Sequence, residues 1–170
     1  MKLVHILAMA LLIAVVSCAK QDRENTIVNQ EEAIDSYIGS LGEQTVVRNG
    51  GANRVVMKQG SGSVEAAIGD SLYIRYAGYI FSRGKGKLFV TNDTAVANQN
   101  NFPCGVSPKK IRLGDTHLVS GLEYGLTGVK EGEHCYIIFS AKYGYNNTVV
   151  YNIPKLSPLF YEVWVDKVFK

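Results

Sequence analysis

Near the end of the chain, Leu159, Tyr161, Val163 and Val165 alternate with Phe160, Glu162, Trp164 and Asp166. A period of two puts one set of side chains on each face of an extended strand. A chain that closes this way needs neighbouring strands and something apolar to cover at least one face. The same pattern recurs upstream: Leu72, Ile74 and Tyr76 alternate with Tyr73 and Arg75. Thr45-Val46-Val47 and Arg54-Val55-Val56-Met57 flank Asn49-Gly50-Gly51, which reads as a hairpin turn. Leu88 to Thr91 reads as a short strand, and Tyr136 to Phe139 as a buried central one. The 17 glycines and 10 tyrosines agree with a β-rich domain joined by tight turns.

Two segments have a helical rather than a strand period. Asn25 to Leu41 places Ile27, Val28, Ala33, Ile34, Tyr37, Ile38 and Leu41 mostly three or four residues apart, with Gly42 as the stop. This predicts a short amphipathic helix, docked on its own domain in preference to a dimer contact. Ser120-Gly121-Leu122-Glu123 has the serine and glutamate of a capping box, and Leu122, Leu126 and Val129 mark one buried face. That predicts a compact helix near 121–129. An antiparallel sheet with a single helix laid across it is an α+β architecture.

The start of the chain reads as an export signal. Met1-Lys2 is basic, and Ile6 to Val16 is an unbroken apolar run of signal length, too short for a spanning helix. It ends in Val15-Val16-Ser17-Cys18, which resembles the bacterial lipobox. The expectation is cleavage after residue 17 and a lipid on Cys18, whose thiol accepts a diacylglyceryl group. Two or more acyl chains suffice for stable anchoring. The divisions expected are therefore 1–17 signal, 18–46 lipid tether and short helix, and 47–170 folded domain. The corresponding location is the cell envelope, on the outer membrane facing the periplasm.

Composition excludes several classes of function. Hydrophobic residues make up 46% and charged residues 19%, as in a globular protein. The net charge of +3 is small, and no basic stripe is interleaved with aromatics, so a nucleic-acid partner is not expected. His5, His117 and His134 have no ligand spacing with Cys104 or Cys135, so no metal or other cofactor is expected. In an oxidising compartment Cys104 and Cys135 could pair, although Cys135 within an apolar strand pattern reads at least as well as a buried thiol.

Residues 60–170 resemble the FKBP-type peptidyl-prolyl cis-trans isomerases through a series of ordered blocks. Gly69 to Gly78 is similar to the family strand that ends in Tyr-Thr-Gly, here Tyr76-Ala77-Gly78. Phe89-Val90-Thr91-Asn92 resembles Phe-Asp-Ser-Ser. Ile111 to Gly114 followed by Leu118 to Leu126 looks like the family strand, loop and helix, usually Val-Ile-x-Gly-Trp-Glu-x-Gly-Leu. Gly128 to Glu133 matches the turn after the helix, Tyr143-Gly144-Tyr145 stands for Tyr-Ala-Tyr, and Asn152-Ile153-Pro154 with Leu159 to Val163 resembles the close of the domain.

The resemblance implies an FKBP-like twisted antiparallel sheet wrapped around one short α-helix, here with an N-terminal helix extension. It implies isomerisation of X-Pro bonds in proline-containing peptides or unfolded exported proteins, without a cofactor. The implied pocket is Tyr76, Phe89, Leu118, Val119, Leu122, Ile153 and Tyr161, with Leu122 as its floor. The Tyr145 hydroxyl and the Val119 N–H would meet substrate carbonyls. Several positions depart from the pattern. Leu122 replaces a tryptophan, Val90 an aspartate and Asn146 a glycine, and Lys109 falls where an aromatic wall residue is usual. The stretch from Asn92 to Ser107 is longer than usual, and its Phe102-Pro103 is expected to refill the missing wall or cover the pocket. Such departures also suit an alternative: a catalytically degenerate module that binds peptides or proteins in the envelope.

Overall fold

The computed structural model describes residues 2–115 and 118–170, and describes the side chains from Lys20 onward. Cys18 and the apolar run before it lie outside the described side chains. The elements in order are helix α1 (Lys2–Ser40), strands β1 (Thr45–Asn49), β2 (Ala52–Lys58), β3 (Ser71–Phe81) and β4 (Lys85–Thr91), helix α2 (Thr94–Asn100), β5 (Lys109–Arg112), helix α3 (Ser120–Leu126), β6 (His134–Phe139) and β7 (Leu159–Phe169). The strands form one seven-stranded sheet in the order β1-β2-β6-β7-β3-β4, and β5 adds to the other end of β3. Every pairing is antiparallel. The hairpin expected at Asn49-Gly50-Gly51 joins β1 to β2, with both glycines at positive φ.

Both faces of the sheet are covered: α3 lies on one, and the N-terminal helix expected to dock on its own domain covers the other together with α2, which the sequence pattern did not predict. On the inner face, Leu122 and Leu126 of α3, with Val129 in the turn after it, pack on Leu72, Ile74, Ile137, Phe139, Leu159 and Val163. On the outer face, Ile34 and Ile38 of α1 and Val96 of α2 cover Val55, Ala77, Tyr79, Ile138 and Phe160. Residues Leu159 to Val163 of β7 are consequently buried on both sides, although their pattern reads as half-polar.

α3 lies flush on the sheet because Gly121 and Gly125 face it. A Cβ at Gly121 would collide with the Phe139 ring, and one at Gly125 with Ile137. The capping box does not form. Val119 is the N-cap, and its carbonyl accepts from the N–H groups of both Leu122 and Glu123. The helix thus begins one residue earlier than expected and ends at Leu126. Ser120 Oγ instead donates to the Tyr143 carbonyl at 3.1 Å, and Glu123 Oε1 accepts from the Gly114 N–H at 3.0 Å. Both side chains tie the helix to neighbouring loops.

α1 is far longer than the helix expected from residue 25, since residues 19–25 continue it. Its docking is on its own domain. Gln30 is held at both ends of its amide: Nε2 donates to the Leu156 carbonyl at 2.8 Å, and Oε1 accepts from the Ala141 N–H at 2.9 Å. Val28, counted in the apolar stripe, is exposed. β1 begins at Thr45, so a boundary between residues 46 and 47 would cut it.

The long segment after β4 is not a lid. Asp93 caps α2 by accepting from the Val96 N–H at 3.0 Å and pairs with Arg75 at 2.9 Å. Phe102, expected at the pocket wall, packs instead into the outer-face cluster. Cys104 and Cys135 are both free thiols, one exposed and one buried, and so are not paired.

Candidate functional site

A cavity of about 350 Å³ opens between the inner sheet face, the start of α3 and the loop before β7. Tyr76, Phe89, Leu118, Val119, Leu122, Tyr145, Ile153 and Tyr161 all line it. These residues come from five different stretches of chain, so only the fold brings them together. Leu122, on the first turn of α3, is 5% exposed and forms the base.

The aromatic walls are set around Tyr161. Phe89 meets it edge-on, with ring centroids 5.8 Å apart and planes at 89°. Phe139 stacks behind it at 6.0 Å, and Tyr76 lies tilted at 6.4 Å. Gly78 leaves the space for this packing: a Cβ there would crowd Phe89, Val90 and Tyr161 together. Asn92 locks the strand below. Its Oδ1 accepts from the Tyr76 N–H at 2.6 Å, and its Nδ2 donates to the carbonyls of Ile74 and Val106 at 3.0 and 3.1 Å.

Burial raises the phenol pKa values of Tyr76, Tyr145 and Tyr161, most strongly for Tyr161. The Tyr145 and Tyr161 hydroxyls are hydrogen-bonded to each other. Their interaction raises the Tyr161 pKa and lowers that of Tyr145, against the larger upward effect of burial on both. No carboxylate lines the cavity among the described residues, and no cluster of potential metal ligands occurs among them. The chemistry this lining offers is burial and hydrogen bonding.

Sequence reasoning did not mark Ile74, Ile111, Val150, Tyr151 and Asn152, which also line the cavity. Ile74 and Ile111 are legible from strand alternation. Val150, Tyr151 and Asn152 sit in an irregular loop with no period to read. Tyr151 is 99% exposed at the rim and adopts positive φ, as does Asn146. Val90 and Lys109, two of the departures from the family pattern, are both in the lining.

An antiparallel sheet wrapped on a short helix, with an aromatic-walled apolar cavity at that helix's start, is the architecture of a prolyl-isomerase domain. The sequence profile of the FKBP-type peptidyl-prolyl cis-trans isomerases matches residues 62–166, and the chain belongs to that family. It is 27% identical over 124 residues to FK506-binding protein 1 of Aspergillus oryzae, covering 69% of this chain and 98% of that one. Among solved structures it is similar to FkpA from Escherichia coli, with a TM-score of 0.60, 20% identity, and coverage of 98% of this chain and 71% of that one. A peptidyl-prolyl cis-trans isomerase from Pseudomonas syringae pv. tomato aligns with a TM-score of 0.62 and 17% identity, covering 86% of this chain and 96% of that one. The three FKBP domains of wheat FKBP73 align with a TM-score of 0.63 and 19% identity over 75% of this chain, which spans 51% of the wheat chain.

Proposed function

We propose that this chain is a membrane-tethered prolyl isomerase that assists the folding of exported proteins, with its X-Pro site in the cavity floored by Leu122. The observation that carries the site is the convergence of Tyr76, Phe89, Val119, Leu122, Tyr145, Ile153 and Tyr161 on one apolar cavity.

The reaction requires rotation about a bond stiffened by amide resonance, which makes X-Pro isomerisation take tens to hundreds of seconds unaided. The planar amide is the more charge-separated form. In a dry cavity it loses solvation that the twisted form needs less, and the barrier falls. The proline ring rests on Leu122 between Tyr76, Phe89 and Tyr161. The Tyr145 hydroxyl and the Val119 N–H donate to substrate carbonyls and hold the peptide through the rotation. No proton is transferred.

The tether is the lipid on Cys18. Support comes from the lipobox-like Val15-Val16-Ser17-Cys18 and the apolar run of signal length. Among the described residues no helix is long and apolar enough to cross a membrane. The stretch 20–25 of α1 is exposed helix, and firm docking begins near Gln30. With 1.5 Å rise per residue, the span from 18 to 25 is a stalk of about 10 Å between lipid and domain. Cys18→Ser should move the protein out of the membrane fraction or leave it unprocessed. Incorporation of a palmitate analogue into that variant equal to wild type would refute the anchor. The folding role is checked by refolding an exported protein whose slow phase is proline-limited: catalytic amounts should accelerate that phase, and an unchanged phase would contradict the role.

A further inference from the structure

A second cavity, of about 790 Å³, lies beside the first and shares Lys109, Ile111 and Leu118 with it. Its charged lining is Lys109, Lys110, Arg112 and Lys170, with Asp115 as the one acid among the described residues. Two of the cations are engaged locally: Lys170 Nζ bonds Asp70 Oδ2 at 2.9 Å, and Arg112 Nε donates to the Gly69 carbonyl at 3.0 Å. Lys109 and Lys110 are exposed. They sit on the short strand β5, opposite Ile74 and Tyr73 of β3. Ile111 of the same strand faces the inner core. The shared lining makes the two cavities contiguous along this positively charged strand.

We propose that this groove makes the site selective for proline peptides with an acidic side chain within two or three residues of the proline. The inference rests on the isomerase reading of the neighbouring cavity. Extended residues two apart are about 6.5 Å apart, so a carboxylate two positions from the proline reaches the next cavity while the ring stays in the first. Lys109 is the element common to both. It replaces an apolar wall with a long stem that packs on the pocket edge and an ammonium that reaches the groove. The contacts are exposed, so each contributes little, and the effect is one of preference.

The test uses matched peptides that keep the same Xaa-Pro pair and differ only in Glu against Gln, placed two residues before or after the proline. Binding is read by fluorescence anisotropy of the labelled peptides, and isomerisation by NMR exchange. Lys109 lies on the same face of β5 as Ile111 and lines both cavities, so the Glu peptide should be favoured about two- to fivefold in one of the two placements, the scale of one exposed ion pair. The preference should fall toward parity as ionic strength rises from about 20 mM to about 1 M, where the Debye length shrinks to about 3 Å. Lys109→Gln should bring the Glu-to-Gln ratio to about one, whatever the variant does to the absolute rate, and an unchanged ratio in this variant overturns the inference. Equal treatment of Glu and Gln by the wild-type protein in both placements, or a ratio untouched by salt, overturns the inference. A binding preference without acceleration of any peptide would instead remove the isomerase reading and leave the groove's selectivity standing.

Discussion

Tyr145 and Phe89 have separable tasks at the site. Tyr145→Phe removes one donor and leaves the packing in place. Its kcat/KM should fall by a factor of about 2–12, the equivalent of one hydrogen bond worth about 0.5–1.5 kcal/mol. Phe89→Ala opens the wall beside Tyr161, lets water reach the bond and should lower the rate further, because desolvation carries the mechanism. A peptide isomerisation assay on the two variants, with melting curves as the control for folding, checks the order. These residues are legible in sequence because they sit in ordered blocks. The positions that were missed show the limit. Tyr151 is placed at the rim by a loop whose local geometry, with positive φ, leaves no periodic trace. Ser120 and Glu123 have the types of a capping box, but the box fails because Val119 takes the cap.

Among the elements, α3 is the one that sets the floor of the cavity. Leu126 is fully buried, and Leu126→Ala should destabilise the domain by about 2–5 kcal/mol. Gly121→Ala should also be costly, by about 1–3 kcal/mol, because the added methyl must displace the Phe139 ring. Since Phe139 stacks behind Tyr161, the same change should disturb the pocket and lower activity. Denaturant unfolding reads both changes. α2 behaves differently from what a lid would do. Val96 and Phe102 pack into the outer-face cluster and Ala97 is buried beside them in α2, so excising residues 94–106 should lower stability without exposing a more active pocket. A lid would give a faster enzyme of unchanged stability. The length of this segment was visible in the sequence. Its destination was not, because a seven-residue helix with two small buried residues has too little pattern to assign to a face.

Across the whole molecule, the outer face is where sequence reasoning fell furthest short. Glu162 sits there on the β7 face that alternation assigns to Phe160, Trp164 and Asp166. It is buried, with Lys85 Nζ at 2.6 Å and His134 Nε2 at 3.0 Å. Burial pushes its carboxyl pKa up, but the bonds from His134 and Lys85 outweigh that and hold it below the usual value. A carboxylate depressed in the folded state contributes stability above its unfolded pKa and loses it as pH falls through the folded one. Melting temperature should therefore drop as pH falls below about 4.5, the usual range for glutamate. Glu162→Gln should be less stable than wild type at neutral pH and should converge with it in acid. Equal stability at neutral pH would show that the Glu162 bonds contribute nothing net. The domain's two-sided burial also explains why the sheet and the two predicted helices were legible while the face each helix covers was not. Alternation reports that a strand has two unlike faces, whereas α1 and α2 cover even the more polar one.

The central claim is that the cavity over Leu122 turns X-Pro bonds, and the most direct measurement is the cis–trans exchange rate of a panel of X-Pro peptides in the presence of the intact protein. Acceleration above the uncatalysed rate is expected for several of them, reduced in Tyr145→Phe and reduced further in Phe89→Ala. A folded wild-type protein that binds these peptides at the cavity yet leaves every exchange rate at its uncatalysed value would contradict the account.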